Sequence, residues 1–342
     1  RKNAMSVLGF EGEWFDQVSG LLQSIYVKFF LDDNTVELLT GKSTFLKRIF
    51  YPDVTIDDLY VGNSITIYNR LIVLKKFANT STEDYMKSRE VRFICVIGSK
   101  GLTSCFAQCV LLAKKNKLRV GRVITTSSNI QSGPNKISPG DCILEIVGLS
   151  PSAKAKFLED LNRIGPSVSA MESSADKVTQ LLSQCRPIEE ISDCTLCLIK
   201  PHVMKNHTVG EILQAISNEG FSFKAFFTIH LTFTFAEELF DAYRNIYSNY
   251  SQVMEHLCSS SSLAVMVTKD AGSKSSMTNN SLVESFREIV GPHDPQLAKA
   301  IRPKSIRALF GEDMIRNAVH CTDLEEDGVM ECKYFFDTLV RL

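Results

Sequence analysis

Thr195-Leu196-Cys197-Leu198-Ile199-Lys200-Pro201, followed by Thr208-Val209-Gly210-Glu211-Ile212-Leu213, is the stretch on which the fold turns. A short apolar and β-branched run that ends at a lysine and a proline reads as a buried strand with a charged tip. Thr208 to Glu211 has the form of a capping box and opens a helix whose apolar stripe is Val209, Ile212, Leu213 and Ile216. Working forward, residues 223–231 read as a second strand, 235–247 and 252–257 as helices, and 263–267 as a third strand. Leu282–Val290 then reads as a helix stopped by Gly291-Pro292. Working backward, the same order appears in shorter form: a strand at 93–97, a helix at Leu102–Lys115, strands at Arg119–Thr125 and 142–147, and a helix at 152–164 stopped by Gly165-Pro166. The chain therefore contains an internal repeat of αβ units. One copy spans 91–183 and the other 193–338, with a linker at 184–192 and a Ser/Gly/Pro/Asn loop at 127–140. Two tandem copies are able to pack on each other as the halves of a dimer within one chain.

Residues 9–88 have a different texture, rich in aromatic and β-branched residues with turn punctuation. Segments 25–31 and 36–39 flank Asp32-Asp33-Asn34-Thr35, and 65–68 and 71–74 flank Asn69-Arg70, each as a hairpin. A small antiparallel β module is expected, with Trp14 packing ahead of its first strand. The length of 342 residues fits two or three domains. A formal net charge of −1 gives no global attraction to nucleic acid or to an anionic membrane. The basic run at 87–122 reads as a solvated helix and strand face. No apolar run approaches the roughly 18 residues a membrane span needs. Neither nucleic acid nor membrane is an expected partner, and a soluble cytoplasmic protein is the expectation. The ten cysteines are scattered singly and read as reduced thiols. Cys194 and Cys197, three apart along a strand, face opposite sides and read as core residues rather than a metal or redox pair.

Chemistry concentrates at the end of the second copy, in Ser305-Ile306-Arg307 and in Arg316-Asn317-Ala318-Val319-His320, with Glu331 eleven residues beyond the histidine. Lys200 stands at a strand end, where open α/β layers hold ligands. Arg287 is on the helix before Gly291-Pro292 and Arg307 lies in the segment after it. Converging guanidiniums and an ammonium make a phosphate clamp, because arginine is a rigid bidentate donor and lysine a point charge. His320 follows an apolar run at 314–319 and is expected where a helix gives way to a loop. As a nucleophile it needs one ring nitrogen free and the other hydrogen-bonded, and Glu331 is the carboxylate at hand. A lone histidine is more often structural, so this one gains weight only from its company.

Ile199-Lys200-Pro201, Val209-Gly210-Glu211-Ile212, Ser305-Ile306-Arg307 and Arg316-Asn317-Ala318-Val319-His320 together resemble the nucleoside diphosphate kinases over about 193–336. The resemblance implies ferredoxin-like βαββαβ domains, hence an α+β protein with a small β module in front. It implies that His320 accepts phosphate, that Glu331 orients it, and that Lys200, Tyr243, Arg287, Arg307 and Asn317 bind the nucleotide. Nucleoside tri- and diphosphates would be the substrates, Mg2+ would travel with the nucleotide, and no metal site of the protein's own is implied. Residues 9–88, with Glu13-Trp14-Phe15-Asp16, Phe45-Leu46-Lys47-Arg48 and the Asp58 to Gly62 segment, resemble the DM10 domain of ciliary and flagellar proteins. That module order implies an axonemal location and a tubulin, microtubule-doublet or tubulin-associated partner.

The copies depart from the family pattern unequally. In the first, Gly98 falls where Lys200 stands in the second, Leu161 falls near the Arg287 position, and no Asn-x-x-His segment follows Gly165-Pro166. It is expected to have lost phosphate chemistry. In the second copy, a base-stacking aromatic is missing near Tyr250 and Ser251, with Tyr250 the candidate substitute. His202 follows Lys-Pro where an acid is usual, and His293 stands near a position often held by threonine. The segments at 259–262 and 271–280 read as lengthened polar loops. Loss of base stacking would cost about 1–3 kcal/mol of binding. Two functional readings follow: a nucleoside diphosphate kinase whose second copy is active, and a non-enzymatic axonemal scaffold with vestigial nucleotide binding.

Overall fold

Alternating apolar side chains, Leu8 and Phe10 on one strand, Ile25, Val27 and Phe29 on the next, Val36 and Leu38 on a third, bury one face of an N-terminal sheet. The computed structural model describes residues 6–16, 21–41, 43–68, 70–132, 135–172, 174–188, 190–269 and 281–341. The sheet comprises β1 (Val7–Asp16), β2 (Leu21–Phe30), β3 (Thr35–Thr40), β4 (Ser43–Phe50), β5 (Ser64–Ile67) and β6 (Arg70–Phe77). Its spatial order is β4-β3-β2-β1-β6-β5, with every described pairing antiparallel. Helix α1 (Thr80–Arg89) follows, capped by the Asn79 side chain, which accepts the Thr82 N–H at 2.8 Å. The segment Gly148–Lys154 belongs to this unit, and Leu149 is buried in its core. An N-terminal antiparallel β module is thus present, its first strand beginning at Val7.

Strand β1 corrects the expectation that Trp14 precedes the first strand. Gly9 and Gly12 mask the strand in the sequence, yet both belong to it: a Cβ on Gly9 would sit 2.3 Å from the Tyr26 hydroxyl of β2. Trp14 lies inside β1, 5.9 Å from the Phe45 ring, and the Arg70 guanidinium covers both rings. Asn69 of the second expected hairpin, and the whole 271–280 loop, lie outside the described residues.

The second unit holds both repeats apart from Val91 and the Gly148–Lys154 segment. The first comprises β7 (Val91–Ile97), α2 (Leu102–Lys115), β8 (Arg119–Thr125), β9 (Ile130–Ser132), β10 (Asn135–Ile137), β11 (Cys142–Gly148), α3 (Pro151–Leu161), β12 (Val168–Glu172) and α4 (Ala175–Leu182). In the second come β13 (Thr195–Ile199), α5 (Pro201–Lys205), α6 (Val209–Asn218), β14 (Phe221–Ile229), α7 (Phe233–Phe240), α8 (Tyr250–Leu257), β15 (Ser262–Lys269) and α9 (Leu282–Val290). They are followed by α10 (Pro295–Ile301), α11 (Ile306–Phe310), β16 (Val319–Cys321) and α12 (Asp327–Lys333). One eight-stranded sheet runs β12-β7-β11-β8-β14-β15-β13-β16. Counted within each copy, the order from the outer edge is fourth, first, third, second, which is the ferredoxin-like arrangement twice over.

The copies join through their second strands. Ile124 of β8 pairs with Phe227 of β14, and threonines complete the seam: Thr125 Oγ1 accepts the Phe226 N–H at 3.0 Å and Thr228 Oγ1 accepts the Val123 N–H at 3.1 Å. Above it, Phe106 of α2 stacks on Phe226 with centroids 3.8 Å apart, and Lys114 pairs with Glu211. That ion pair explains why the expected capping box at Thr208 does not form. Glu211 is drawn across to α2, and Thr208, at ψ 10, makes no side-chain cap. Two further differences concern loops. The 127–140 segment holds the β9/β10 hairpin, and the helix expected at 235–247 begins earlier, at the Thr232 cap, and breaks after Phe240 into a 3-10 turn at Asp241–Tyr243.

Candidate active site

Strand β13 is buried at every position, so its end fixes whatever follows it. Lys200 caps α5 with Pro201 at the first helical position, and its N–H donates to Ala318 O at 3.0 Å. On the other side of that bond is β16, antiparallel to β13 with Leu198 opposite His320. His320 therefore sits on an edge strand, not at a helix end as expected. The 314–318 run cannot wind into a helix because Asp313 Oδ1 takes the N–H groups of Ile315 and Arg316, at 2.9 and 2.7 Å, in a tight Asx turn. Ala318, at φ 71, then swings the chain into β16.

The His320 side chain is 5% exposed, with Phe240 packed at 4.9 Å. Its Nε2 points at Glu331 Oε2 across 3.5 Å, longer than a hydrogen bond. Glu331 Oε2 is held by the Thr322 hydroxyl, which donates at 2.7 Å, and Thr322 Oγ1 in turn accepts the Leu196 N–H at 3.2 Å. A carboxylate on α12 is thereby fixed behind the ring by a side chain two residues from it in β16's continuation.

Cations stand on the neighbouring elements. Arg307 on α11 spends Nη1 on Gly291 O at 2.9 Å and Nη2 on Val319 O at 3.1 Å. Gly291 must be glycine here, with φ 84 and a Cβ that would fall 2.3 Å from Ser305 Oγ. Arg287 on α9 donates to Asp323 O at 2.9 Å and pairs with its carboxylate at 3.3 Å. The Tyr243 hydroxyl donates to the same carboxylate, and burial together with that bond pushes the phenol far above its usual range. Lys200 is 2% exposed and donates to Ile315 O at 3.1 Å. Burial, reinforced by Arg307 and opposed by Asp313, brings its ammonium down to about 7.

A cavity of about 680 Å³ opens between these elements. Of the residues singled out in the sequence, Tyr243, Arg287, Arg307 and His320 line it. Lys200 and Asn317 do not. They lie buried behind the wall, Asn317 fully so, and Glu331 lines a separate cavity of about 310 Å³ with Tyr243 and Met330. Sequence reasoning missed Tyr247, Arg302, Asp323 and Thr322. Tyr247 stacks on His293 at 4.5 Å and on Tyr243 at 5.0 Å, and all three line the cavity. Tyr250, considered as a base-stacking substitute, instead lies under the Arg244 guanidinium, at 5.5 Å, and is not on the cavity wall. Only the Asp323 position, in a run of the form His-x-x-Asp, carried a local signal. His202 is turned inward, its Nδ1 3.0 Å from His256 Nε2. Cys194 and Cys197 are buried, as a core reading requires.

Residues 193–339 match the protein-family profile described as nucleoside diphosphate kinase. Over 99% of its length the chain is 27% identical to nucleoside diphosphate kinase homolog 7 of Mus musculus, covering 95% of that protein. It is 32% identical to the nucleoside diphosphate kinase of Aquifex aeolicus over 42% of this chain and 94% of that one. A crystal structure of the Aquifex aeolicus protein superposes with a TM-score of 0.37 at 29% identity, over 43% of this chain and 96% of that one. With nearly the whole of a 32%-identical relative covered, the chain belongs to the nucleoside diphosphate kinase family.

Proposed function

We propose that the 193–338 copy passes the γ-phosphate of a nucleoside triphosphate to a nucleoside diphosphate through a phosphohistidine at His320. The carrying observation is the ring's placement: Nε2 faces a fixed carboxylate, while the side chain borders a cavity walled by three arginines. Nδ1 is then the nucleophile. Its lone pair forms the N–P bond as the bond from the γ-phosphorus to the bridging oxygen breaks, and the diphosphate leaves with that electron pair. An acceptor diphosphate reverses the step. Glu331 holds Nε2–H and stabilises the positive ring as charge develops, the 3.5 Å gap closing in the complex. Arg287 and Arg307 take the phosphate charge, Tyr243 hydrogen-bonds near the transferred group, and an arriving phosphate recharges Lys200. Asn317 supports the site from behind.

Mg2+ fits as an ion carried on the nucleotide. The cavity wall offers the hard oxygens of Glu284, Glu288 and Asp323, while the described residues include no ligand cluster of three for a resident metal. When bound it neutralises the phosphate oxygens.

Incubation with Mg2+ and γ-labelled ATP is the test. Acid-labile label that vanishes in His320→Ala supports the reading, and a wild-type protein that takes no label ends it.

A second reading concerns the rest of the chain, taken as a β module at 9–88 and a degenerate copy at 91–183. We infer a structural part in the ciliary axoneme, docking on tubulin or a tubulin-associated complex, because residues 9–88 resemble the DM10 domain of ciliary and flagellar proteins and the described lining of the first copy's cleft holds no cation. Unaltered axonemal incorporation of a chain lacking residues 9–88 would remove the module from that account.

A further inference from the structure

His293 lines the cavity, stacked on Tyr247, and its protonation can be deduced from its neighbours. Asn317 Nδ2 lies 2.9 Å from His293 O and 3.1 Å from His293 Nδ1. A carbonyl oxygen only accepts, so the Asn317 atom facing it is the amide nitrogen and the side chain cannot be flipped. The second hydrogen of that nitrogen then points at Nδ1, which must be the unprotonated acceptor. In a neutral ring the proton is on Nε2. That Nε2 is buried and finds no acceptor among the described residues. Burial, with Arg307 and Lys200 nearby, brings the ring down to about 4, so it stays neutral at neutral pH.

We propose that Asn317 is a positioning residue that locks His293 in its Nε2–H tautomer, so that the ring donates an uncharged hydrogen bond to a phosphate oxygen entering the cleft. The proposal rests on the nucleotide reading above, and it departs from the ligand role the family resemblance gives Asn317. The fully buried amide, with both hydrogens spent on His293, has none left for a nucleotide. The orphaned Nε2–H is the group that gains an acceptor when phosphate arrives, and its neutrality leaves charge compensation to the arginines.

The test uses full-length protein carrying nitrogen-15 histidine, observed by long-range proton–nitrogen NMR and by titration with MgADP. In the wild type His293 shows a protonated Nε2 and a bare Nδ1 from pH 6 to 8. Asn317→Asp puts an acceptor at Nδ1 and inverts the tautomer, lowering MgADP affinity about tenfold. His293→Phe keeps a ring on Tyr247 and gives a similar loss, with a melting temperature near the wild type's. A wild-type ring protonated on Nδ1 overturns the proposal, as does an inverted tautomer with unchanged MgADP affinity. A wild type with the stated tautomer that binds no MgADP fails at the nucleotide reading instead, and takes the phosphate role of His293 down with it.

Discussion

The two copies build a cleft in the same place and furnish it in opposite ways. In the second, the space between α9 and β16 is walled by Arg287, Arg302, Arg307, His293 and His320. In the first, the space between α3 and β12 is a cavity of about 360 Å³ lined by Phe93, Leu158, Leu161, Asn162 and residues 168–171 of β12, with no cation among the described residues. The strand registers are equivalent. Ser169 stands opposite Val96, the penultimate residue of β7, as His320 stands opposite Leu198, the penultimate residue of β13. The positive-φ glycine that ends the helix is kept as well, Gly165 in one and Gly291 in the other. What differs is the chain between glycine and edge strand: Pro166 and Ser167 in the first copy, residues 292–318 in the second. Sheet closure needs only the short connection, and His293, Arg302 and Arg307 of the cleft stand on the long one. The first copy's arginines have gone to structure instead, with Arg92 and Arg122 both held by the buried Glu145.

The sharpest way to break this contrast is at the paired strand positions. His320→Ala should cut phosphoryl transfer by roughly 10⁴-fold or more, and Ser169→His in β12 should restore none of it, because no arginine lines that cleft. Transfer activity from the Ser169→His chain would show that the histidine alone suffices. Next comes the seam between copies. Phe106→Ala removes a fully buried ring and should cost about 3–5 kcal/mol, with both copies melting in one calorimetric transition. Two resolved transitions would mean that the copies fold separately.

Lys200 against Gly98 gives a mixed prediction. Lys200→Met should weaken MgADP binding by about 1.5–3 kcal/mol, through loss of a charged donor. It should also stabilise the free protein by about 1 kcal/mol or more, since it removes a buried, unpaired charge. The sign with pH follows from the lowered ammonium. The charged form is the one the fold disfavours, so the penalty is complete below about 7, shrinks as pH rises from 7 towards the ordinary 10.5, and is gone above it. The stability gain of Lys200→Met, read by denaturant melts, should follow that course. Glu331→Gln is the smallest step, slowing transfer about tenfold by loosening the ring while leaving MgADP affinity unchanged in titration calorimetry. Equal losses of rate and affinity would remove Glu331 from the orienting role.

Regular elements were legible where period and punctuation agreed: α2, β8, β13 and α9 fall at the residues the pattern indicates. The sequence misleads where a side chain or a distant strand outbids local preference. Gly9 and Gly12 hide β1 because their value lies in the close approach of β2. The 314–318 run looks helical until Asp313 takes its amides. At the site, Arg287, Arg307, Tyr243 and His320 come together at one cavity, while Lys200, the third cation expected to converge with the two arginines, does not line it. The depth of Lys200 and the union of Asn317 with His293 were not legible, because both depend on how a loop folds back over a strand end.

The seam made by Thr125, Thr228 and the stacked Phe106 and Phe226 has a consequence for behaviour in dilute solution. Partners held on one polypeptide meet at an effective concentration on the order of millimolar. Neither copy can exchange its neighbour for another as the solution is thinned. Specific activity, if His320 transfers phosphate as proposed, should therefore stay flat from micromolar to nanomolar protein, and each second copy keeps the same first copy beside it for the lifetime of the chain.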